Sequence, residues 1–403
     1  MSTADRPVSP PSPDLAGDEF RRAARAYLAS ILPARNAETV VSVLGAGRED
    51  LDEGRQFLAR LAGEGWSVPT WPPGLGGVGL GAELAFIWQE ELAGFEVPDL
   101  YPFRIGLNMV GPTLLRHASP EQQRRWLSGI ATGEEIWCQL FSEPGAGSDL
   151  AGLAATARHH HDGWELTGQK VWSSRAQYAH WGLLLARSDP HAEKHAGITC
   201  FVLPMDAPGV EVRPLRQMNG DAHFNEVFLD GVVVSDAQRI GEAGEGWGVA
   251  RTTLAHERSA AGSSVAVTPS QLIELARRQG RAEDPIIRQR LAEVITQLEV
   301  ARLTAERMRS SSAAAAGPHG SGSKLRVVSA LKASADLAGG LLGAALTATP
   351  SQWQTLVLTA PSLSIRGGTD EVQRGILAER VLGLPREPDP FRGRPWSEIP
   401  RSQ

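Results

Sequence analysis

From Gly17 to about Gly129 the apolar positions keep helical spacing. Phe20, Ala24, Tyr27, Leu28 and Ile31 recur at i, i+4, i+7, i+8 and i+11, and Pro33 closes the run. Ser119-Pro120-Glu121-Gln122 joins an N-cap serine, a proline at the first helical position and a glutamine suited to a capping box. The helix it opens carries Trp126 and Leu127 toward a core. From Thr132 to Ile240 the period falls toward two. Short apolar runs such as Ile198–Leu203 alternate with turn signals at Asp162-Gly163, Asn219-Gly220 and Asp230-Gly231, the pattern of a small antiparallel sheet or barrel. Beyond Gly246 helical spacing returns and holds to Gly383. Ile287, Leu291, Val294, Ile295, Leu298 and Ala301 predict one long amphipathic helix with Pro285 near its first turn; Ala330–Ala345 and Asp370–Leu382 predict two more. Gly317–Ser323 reads as a loop between long helices, and the segment after Pro385 as an extended tail over the surface.

Composition narrows the class. The 403 residues allow roughly two or three domains. Charged residues at 21% are ordinary for a globular protein, and 40 basic against 46 acidic residues leave no basic excess of the kind a nucleic-acid binder carries. Two cysteines, Cys138 and Cys200, exclude a disulfide scaffold and an all-cysteine zinc site, which points to a reducing, cytoplasmic setting. No apolar run reaches the length of a membrane helix, and the proline-rich start lacks the apolar stretch of a signal peptide.

Two stretches carry candidate chemistry. Phe141-Ser142-Glu143-Pro144-Gly145-Ala146-Gly147-Ser148-Asp149-Leu150 combines glycines, a proline and two serines, so backbone amides can approach a planar or anionic ligand closely. Gly168-Gln169-Lys170-Val171-Trp172-Ser173-Ser174 places a large aromatic before two hydroxyls, which suits a flat heteroaromatic cofactor. Either alone is ordinary: a lone Gly-x-Gly is more often a surface loop, and any one tryptophan is more often core. His159-His160-His161 reads as a solvated hairpin tip, because adjacent strand residues face opposite sides and converge poorly on a metal.

With Trp71-Pro72-Pro73-Gly74-Leu75-Gly76-Gly77, His256-Glu257-Arg258 and Arg366-Gly367-Gly368-Thr369-Asp370-Glu371-Val372-Gln373-Arg374, these stretches resemble the acyl-CoA dehydrogenase family of flavoenzymes from about Phe20 to Arg386. The resemblance implies an α+β protein. A tail (1–16) would precede an N-terminal helical domain (17–131), a middle antiparallel β-barrel domain (132–243), a C-terminal four-helix bundle (244–386) and an extended tail (387–403). It also implies FAD between the last two domains and a neighbouring subunit. Leu140 and Ser142 would bond the flavin pyrimidine, with Gly147 and Ser173 in the same cofactor site. Trp172 would lie beside the isoalloxazine, and Ser174 near N5. Ser148, also in the cofactor site, would meet the CoA pantetheine, with Arg258 on the substrate too, while Thr369 and Glu371 would face the adenosine diphosphate of FAD. Gly339-Gly340 and Arg277 resemble the phosphate-binding parts of that site.

Departures from the family pattern are as telling. The commonest family position for the catalytic glutamate is Gly367 here; a second family position, just before the arginine of the bundle, is Glu257. This pairing is similar to bacterial branches acting on bulky, branched or steroid side-chain thioesters, with the Gly367 amide available to bond the thioester carbonyl. Gly280 stands where an aromatic is expected after Arg277, and Asp336 where a glutamine is expected, so a like charge near the pyrophosphate needs Arg277 or Arg278 to offset it. The implied reaction is FAD-dependent α,β-dehydrogenation of an acyl-CoA in lipid metabolism, with electrons leaving to an electron-transfer flavoprotein. The implied assembly is a homotetramer, or a heterotetramer with a related subunit, without nucleic acid or membrane. A half-active subunit and an oxygen-using flavin oxidase or monooxygenase are the alternatives.

Overall fold

The protein is described here from a computed structural model covering residues 8–35, 51–161, 163–261, 267–309, 318–348 and 350–400. Residues 1–7 and 401–403 of the expected tails, Asp162 of the hairpin turn and Gly317 of the expected loop lie outside these residues.

Among the described residues five α-helices come first: α1 (Gly17–Ile31), α2 (Leu51–Ala62), α3 (Ala82–Leu92), α4 (Gly111–His117) and α5 (Pro120–Thr132). The apolar face of α1 buries Phe20, Ala24, Tyr27 and Leu28 against Trp66 and Trp88, whose ring centroids lie 4.6 Å apart. Glu91 on α3 is buried but satisfied, accepting from Arg21 at 2.8 Å and Arg25 at 2.7 Å. The capping box of α5 forms reciprocally between Ser119 and Gln122. Gln122 also donates to the carbonyls of Ala237 and Arg239, at 2.9 and 2.7 Å, which ties this helix start to the sheet.

The strands are β1 (Trp137–Leu140), β2 (Thr156–His160), β3 (Gly163–Ser174), β4 (Trp181–Arg187), β5 (Ile198–Pro204), β6 (Val210–Leu215), β7 (Phe224–Ser235) and β8 (Arg239–Ile240). The expected antiparallel barrel is instead an open, mixed sheet of order β6-β7-β3-β2-β4-β5-β8, with β1 beside β4. β1 runs parallel to β4, and β2 meets β4 in parallel at Thr156 and Arg187. Closure would require β6 and β8 to pair. β8 is only two residues long, and Gln122 of α5 already takes carbonyls beside and within it, so this edge is guarded by a helix. Asn219-Gly220 does form a turn, whereas Asp230-Gly231 lies inside β7, where Gly231 at φ +61° bends the strand without reversing it. Cys138 and Cys200 are free and buried in β1 and β5.

Seven α-helices follow among the described residues: α6 (Gly246–Ala261), α7 (Pro269–Arg278), α8 (Pro285–Arg309), α9 (His319–Leu342), α10 (Ala345–Ala348), α11 (Gln352–Leu363) and α12 (Asp370–Arg380). The bundle is organised around α9, on which α6, α7, α8, α11 and α12 all pack. The predicted loop is helical from His319 onward, because Gly320, Ser321 and Ser323 serve as small buried contacts rather than turn formers. The tail after α12 is anchored. Trp396 N–H donates to Ala192 O and Ser397 N–H to Pro190 O, each at 2.9 Å, and the Arg187 guanidinium covers the buried Trp396 ring at 4.4 Å. None of the described helices is long and apolar enough to cross a membrane.

Candidate active site

The glycine-rich loop leaves the end of β1 at Leu140, which is wholly buried. It turns through Glu143 and Ala146, whose backbones exchange hydrogen bonds of 3.1 and 3.0 Å. Pro144, Gly145, Gly147 and Ser148 are exposed, so their backbone faces solvent. Ser142 is held from β3, where Val171 N–H donates to its carbonyl at 2.9 Å.

One residue later the β3–β7 register slips between Lys170 and Ser173, a bulge. At its apex Trp172 takes φ +61° and stands 62% exposed, its ring edge-on to Phe224 at 6.2 Å. A tryptophan in the left-handed region is strained, and surroundings must over-determine it. Ser173 is buried, and its Oγ has no hydrogen-bond partner among the described residues; Ser174 is half-buried opposite Phe224.

Glu257 comes from α6. It is half-buried by accessible surface yet densely surrounded by protein, and that burial pushes its carboxyl above the ordinary carboxylate range. A hydrogen bond from Gln139 and the nearby cations Arg258, Arg366 and Lys324 pull the other way without cancelling burial. Tyr101, from the turn before α4, shares this setting. Its phenol is pushed up by burial, with Arg366 and Arg104 opposing, and the Arg175 guanidinium lies 4.7 Å from its ring.

The Arg366–Thr369 loop closes on the same place. Gly367 and Gly368 both take positive φ, +67° and +82°. Gln373 Nε2 donates to Gly367 O at 3.0 Å, and the buried Lys324 ammonium donates to Gly368 O at 2.8 Å and to Asp370 at 3.1 Å. Among the described residues no acceptor meets the Gly367 N–H. Thr369 caps α12 through Val372 N–H, while Glu371 is exposed, 3.6 Å from Arg374.

The remaining expected residues stand apart. Gly339 and Gly340 lie fifteen residues beyond Lys324 on α9, about 22 Å along the helix axis, and Arg277 is exposed on α7, 4.0 Å from Glu274. Asp336 is offset not by Arg277 or Arg278 but by Arg290 of α8, at 2.5 Å. Gly280 ends α7 in the left-handed conformation: its N–H bonds Arg277 O and Arg281 N–H bonds Ala276 O, both at 2.9 Å. The missing aromatic is therefore a helix stop.

Several members of the site escape sequence reasoning. Gln139, Tyr101 and Lys324 carry no motif, and a buried lysine looks like any other in a helix. A second recess, about 510 Å³, lies between the β4–β5 loop, α6, α12 and the tail, lined by His195, Trp247, Arg251, Arg380 and Arg386. Its residues are far apart in sequence, so only folding reveals a basic cleft with an indole wall.

Three acyl-CoA dehydrogenase family profiles match the chain: the N-terminal domain over residues 17–134, the middle domain over 138–232 and the C-terminal domain over 244–382. Acyl-CoA dehydrogenase IpdE1 of Mycobacterium tuberculosis is 39% identical over 380 residues, covering 92% of this chain and 98% of that protein. Among solved structures, the Tcur3481-Tcur3483 steroid ACAD superposes with a TM-score of 0.76 at 29% identity, over 93% of this chain and 100% of that one. The ChsE4-ChsE5 complex from Mycobacterium tuberculosis gives 0.73 at 28% identity, over 96% and 100%.

The chain belongs to the acyl-CoA dehydrogenase family. It is an oxidoreductase of a family of FAD-binding flavoproteins. The residues present suit that cofactor: an exposed indole on a left-handed backbone, a buried serine hydroxyl without a partner among the described residues, and a loop of exposed glycines beside them.

Proposed function

We propose that the protein dehydrogenates an acyl-CoA thioester to the 2,3-enoyl-CoA, with Glu257 as the base that removes the C2 proton. The observation that carries this reading is Glu257 itself, a carboxyl held above its ordinary range by burial beside a loop whose Gly367 N–H meets no acceptor among the described residues. Such a carboxylate is a stronger base than an exposed one and has little water to compete for it. The Gly367 N–H would polarise the thioester carbonyl and stabilise the developing enolate, a role that needs no side chain. Leu140, Ser142, Gly147 and Trp172–Ser174 would hold the flavin ring, and Thr369 and Glu371, at the α12 N-terminus, the adenosine diphosphate. FAD, when bound, supplies the acceptor for the C3 hydride. Ser148 and Arg258 would contact the pantetheine, and the basic cleft at Arg251 and Arg386 would take the CoA phosphates.

The substrate class we favour is a bulky or steroid side-chain thioester. The steroid ACAD among the solved structures, at 29% identity, supports it, as does glycine at residue 367 where the commoner base would stand. Electrons would pass to an electron-transfer flavoprotein. We also propose that Arg277, Gly339 and Gly340 complete the FAD site of a neighbouring subunit: the diglycine lies about 22 Å along α9 from Lys324 at the Gly367–Gly368 loop, and Arg277 is exposed on α7. A related but different subunit is favoured over a second copy. Gly280 is committed to ending α7, and two structural relatives are named as two-component assemblies. Free, buried Cys138 and Cys200 accord with a cytoplasmic setting.

The test is anaerobic mixing of the purified FAD-loaded assembly, this chain together with the subunit that completes its flavin site, with a panel of acyl-CoA thioesters while flavin absorbance is followed. Bleaching by a bulky thioester, abolished in Glu257→Gln, is the expected result. A normal bleaching rate in that variant would overturn the assignment.

A further inference from the structure

The two stretches that face the proposed flavin site lie thirty residues apart in sequence, and a buried ion pair locks them together. Lys170 is wholly buried. Its ammonium donates to Phe141 O at 3.1 Å and to Glu143 Oε1 at 2.7 Å, the residues on either side of Ser142. Val171 N–H takes the Ser142 carbonyl itself, at 2.9 Å. Three consecutive residues of the loop are thus gripped by the two residues that lead into Trp172. The Glu143 carboxylate is satisfied in turn by Ala154 N–H at 2.6 Å and Ala155 N–H at 2.9 Å. Beyond the bulge the strand is caught again, where Asn225 Nδ2 donates to Ser173 O at 3.0 Å.

Burying two charges is an expensive way to join a loop to a strand, since an apolar pair of similar volume often serves as well. What an ion pair adds over an apolar contact is direction, because each hydrogen bond fixes an angle as well as a distance. Trp172 needs that direction. Its left-handed backbone persists only where both flanks are held, and the preceding flank is held by Lys170 and Val171.

We infer that Lys170 and Glu143 are positioning residues that fix Ser142 and Trp172 relative to one another, and so set the gap into which the flavin ring fits. The inference rests on the proposed placement of the flavin. Neither residue touches substrate, and neither exchanges a proton in the reaction.

The experiment compares the parent protein, in that same assembly, with Lys170→Met, Glu143→Gln and the double variant, which removes both charges and leaves no buried ion unpaired. Three properties are read in each: the thermal midpoint, the dissociation constant for FAD, and the quenching of flavin fluorescence, with Trp172→Phe as the reference for lost indole contact. The single variants are expected to lose stability, because each strands a partner. The double variant strands no ion but leaves one of the Ala154 and Ala155 N–H groups without an acceptor, so it is expected to lose less thermal stability than either single variant, yet bind FAD about tenfold more weakly, the size of one lost hydrogen bond. Its flavin fluorescence should rise toward that of Trp172→Phe, and kcat should fall while KM for the thioester holds. A double variant with unchanged FAD affinity and quenching overturns the inference, as does one whose FAD loss only follows unfolding. A parent that binds and quenches FAD but is reduced by no thioester overturns the proposed reaction and not the positioning role.

Discussion

The Lys324 ammonium sits 2.8 Å from the Gly368 carbonyl oxygen and 3.1 Å from the Asp370 carboxylate, so one buried side chain of α9 holds both the Gly-Gly loop and the first turn of α12. Its charge also faces Glu257. Lys324→Met should therefore cost about 3 kcal/mol, the usual loss when one partner of a buried pair is removed. It should also lower kcat, because the Gly367 N–H would lose its fixed aim. Denaturant unfolding and steady-state kinetics on the same preparation measure both. A variant as stable and active as the parent would show that the loop holds itself.

Glu257→Gln should separate stability from activity. Because burial raises the carboxyl's pKa in the folded state, ionising it opposes folding, and the stabilising contribution of the neutral form is lost as pH climbs through the raised value. The variant should unfold at a higher temperature than the parent at about pH 8, and at the same temperature below about pH 4, where both side chains are neutral. Flavin reduction should slow by about a thousandfold, the typical worth of a general base. In the parent, the acid limb of the pH–rate profile should lie above the ordinary glutamate range.

The basic cleft predicts a split between thioesters. Arg251→Ala or Arg386→Ala should raise KM for an acyl-CoA about tenfold, the value of one hydrogen bond between charged groups. The corresponding acyl-pantetheine, which lacks the nucleotide, should be unaffected. Equal effects on both would place the phosphates elsewhere.

Gly280→Ala should destabilise the protein by about 1 kcal/mol, because residue 280 is left-handed at φ +65° and a β-carbon is costly there. FAD content should not change. If it did, the glycine would be part of the cofactor site and not merely the end of α7.

Where the spacing of apolar residues reports on one face of one element, it is faithful. Phe20, Ala24, Tyr27 and Leu28 are the buried stripe of α1, and Ser119 with Gln122 caps α5. It is weak where two faces are covered, as in β4 and β5, which are buried almost throughout and so carry no alternation to show how the sheet curves. An open sheet and a barrel then look alike. Small residues mislead for a related reason, since Gly320, Ser321 and Ser323 read as a loop but pack inside α9. Local motifs point to Ser142, Trp172 and Glu257 because their neighbours are distinctive. The residues that hold them, such as Lys324, Gln139 and Lys170, lie elsewhere in the chain and gain meaning only from their partners across it.

The anchored tail has a mechanical consequence. The helical bundle leaves the sheet where β8 passes into α6, and the chain returns to the same sheet when Ser397 and Trp396 join Pro190 and Ala192. The bundle is thus fastened like a door with a hinge on one side and a latch on the other. A swing about the first attachment would pull on the second through the largely exposed segment 381–394, so the two together resist widening of the basic cleft between them. The nucleotide end of any thioester then meets the same held frame whatever its acyl group, and cutting the chain before Pro395 would release the latch while leaving every proposed catalytic residue in place.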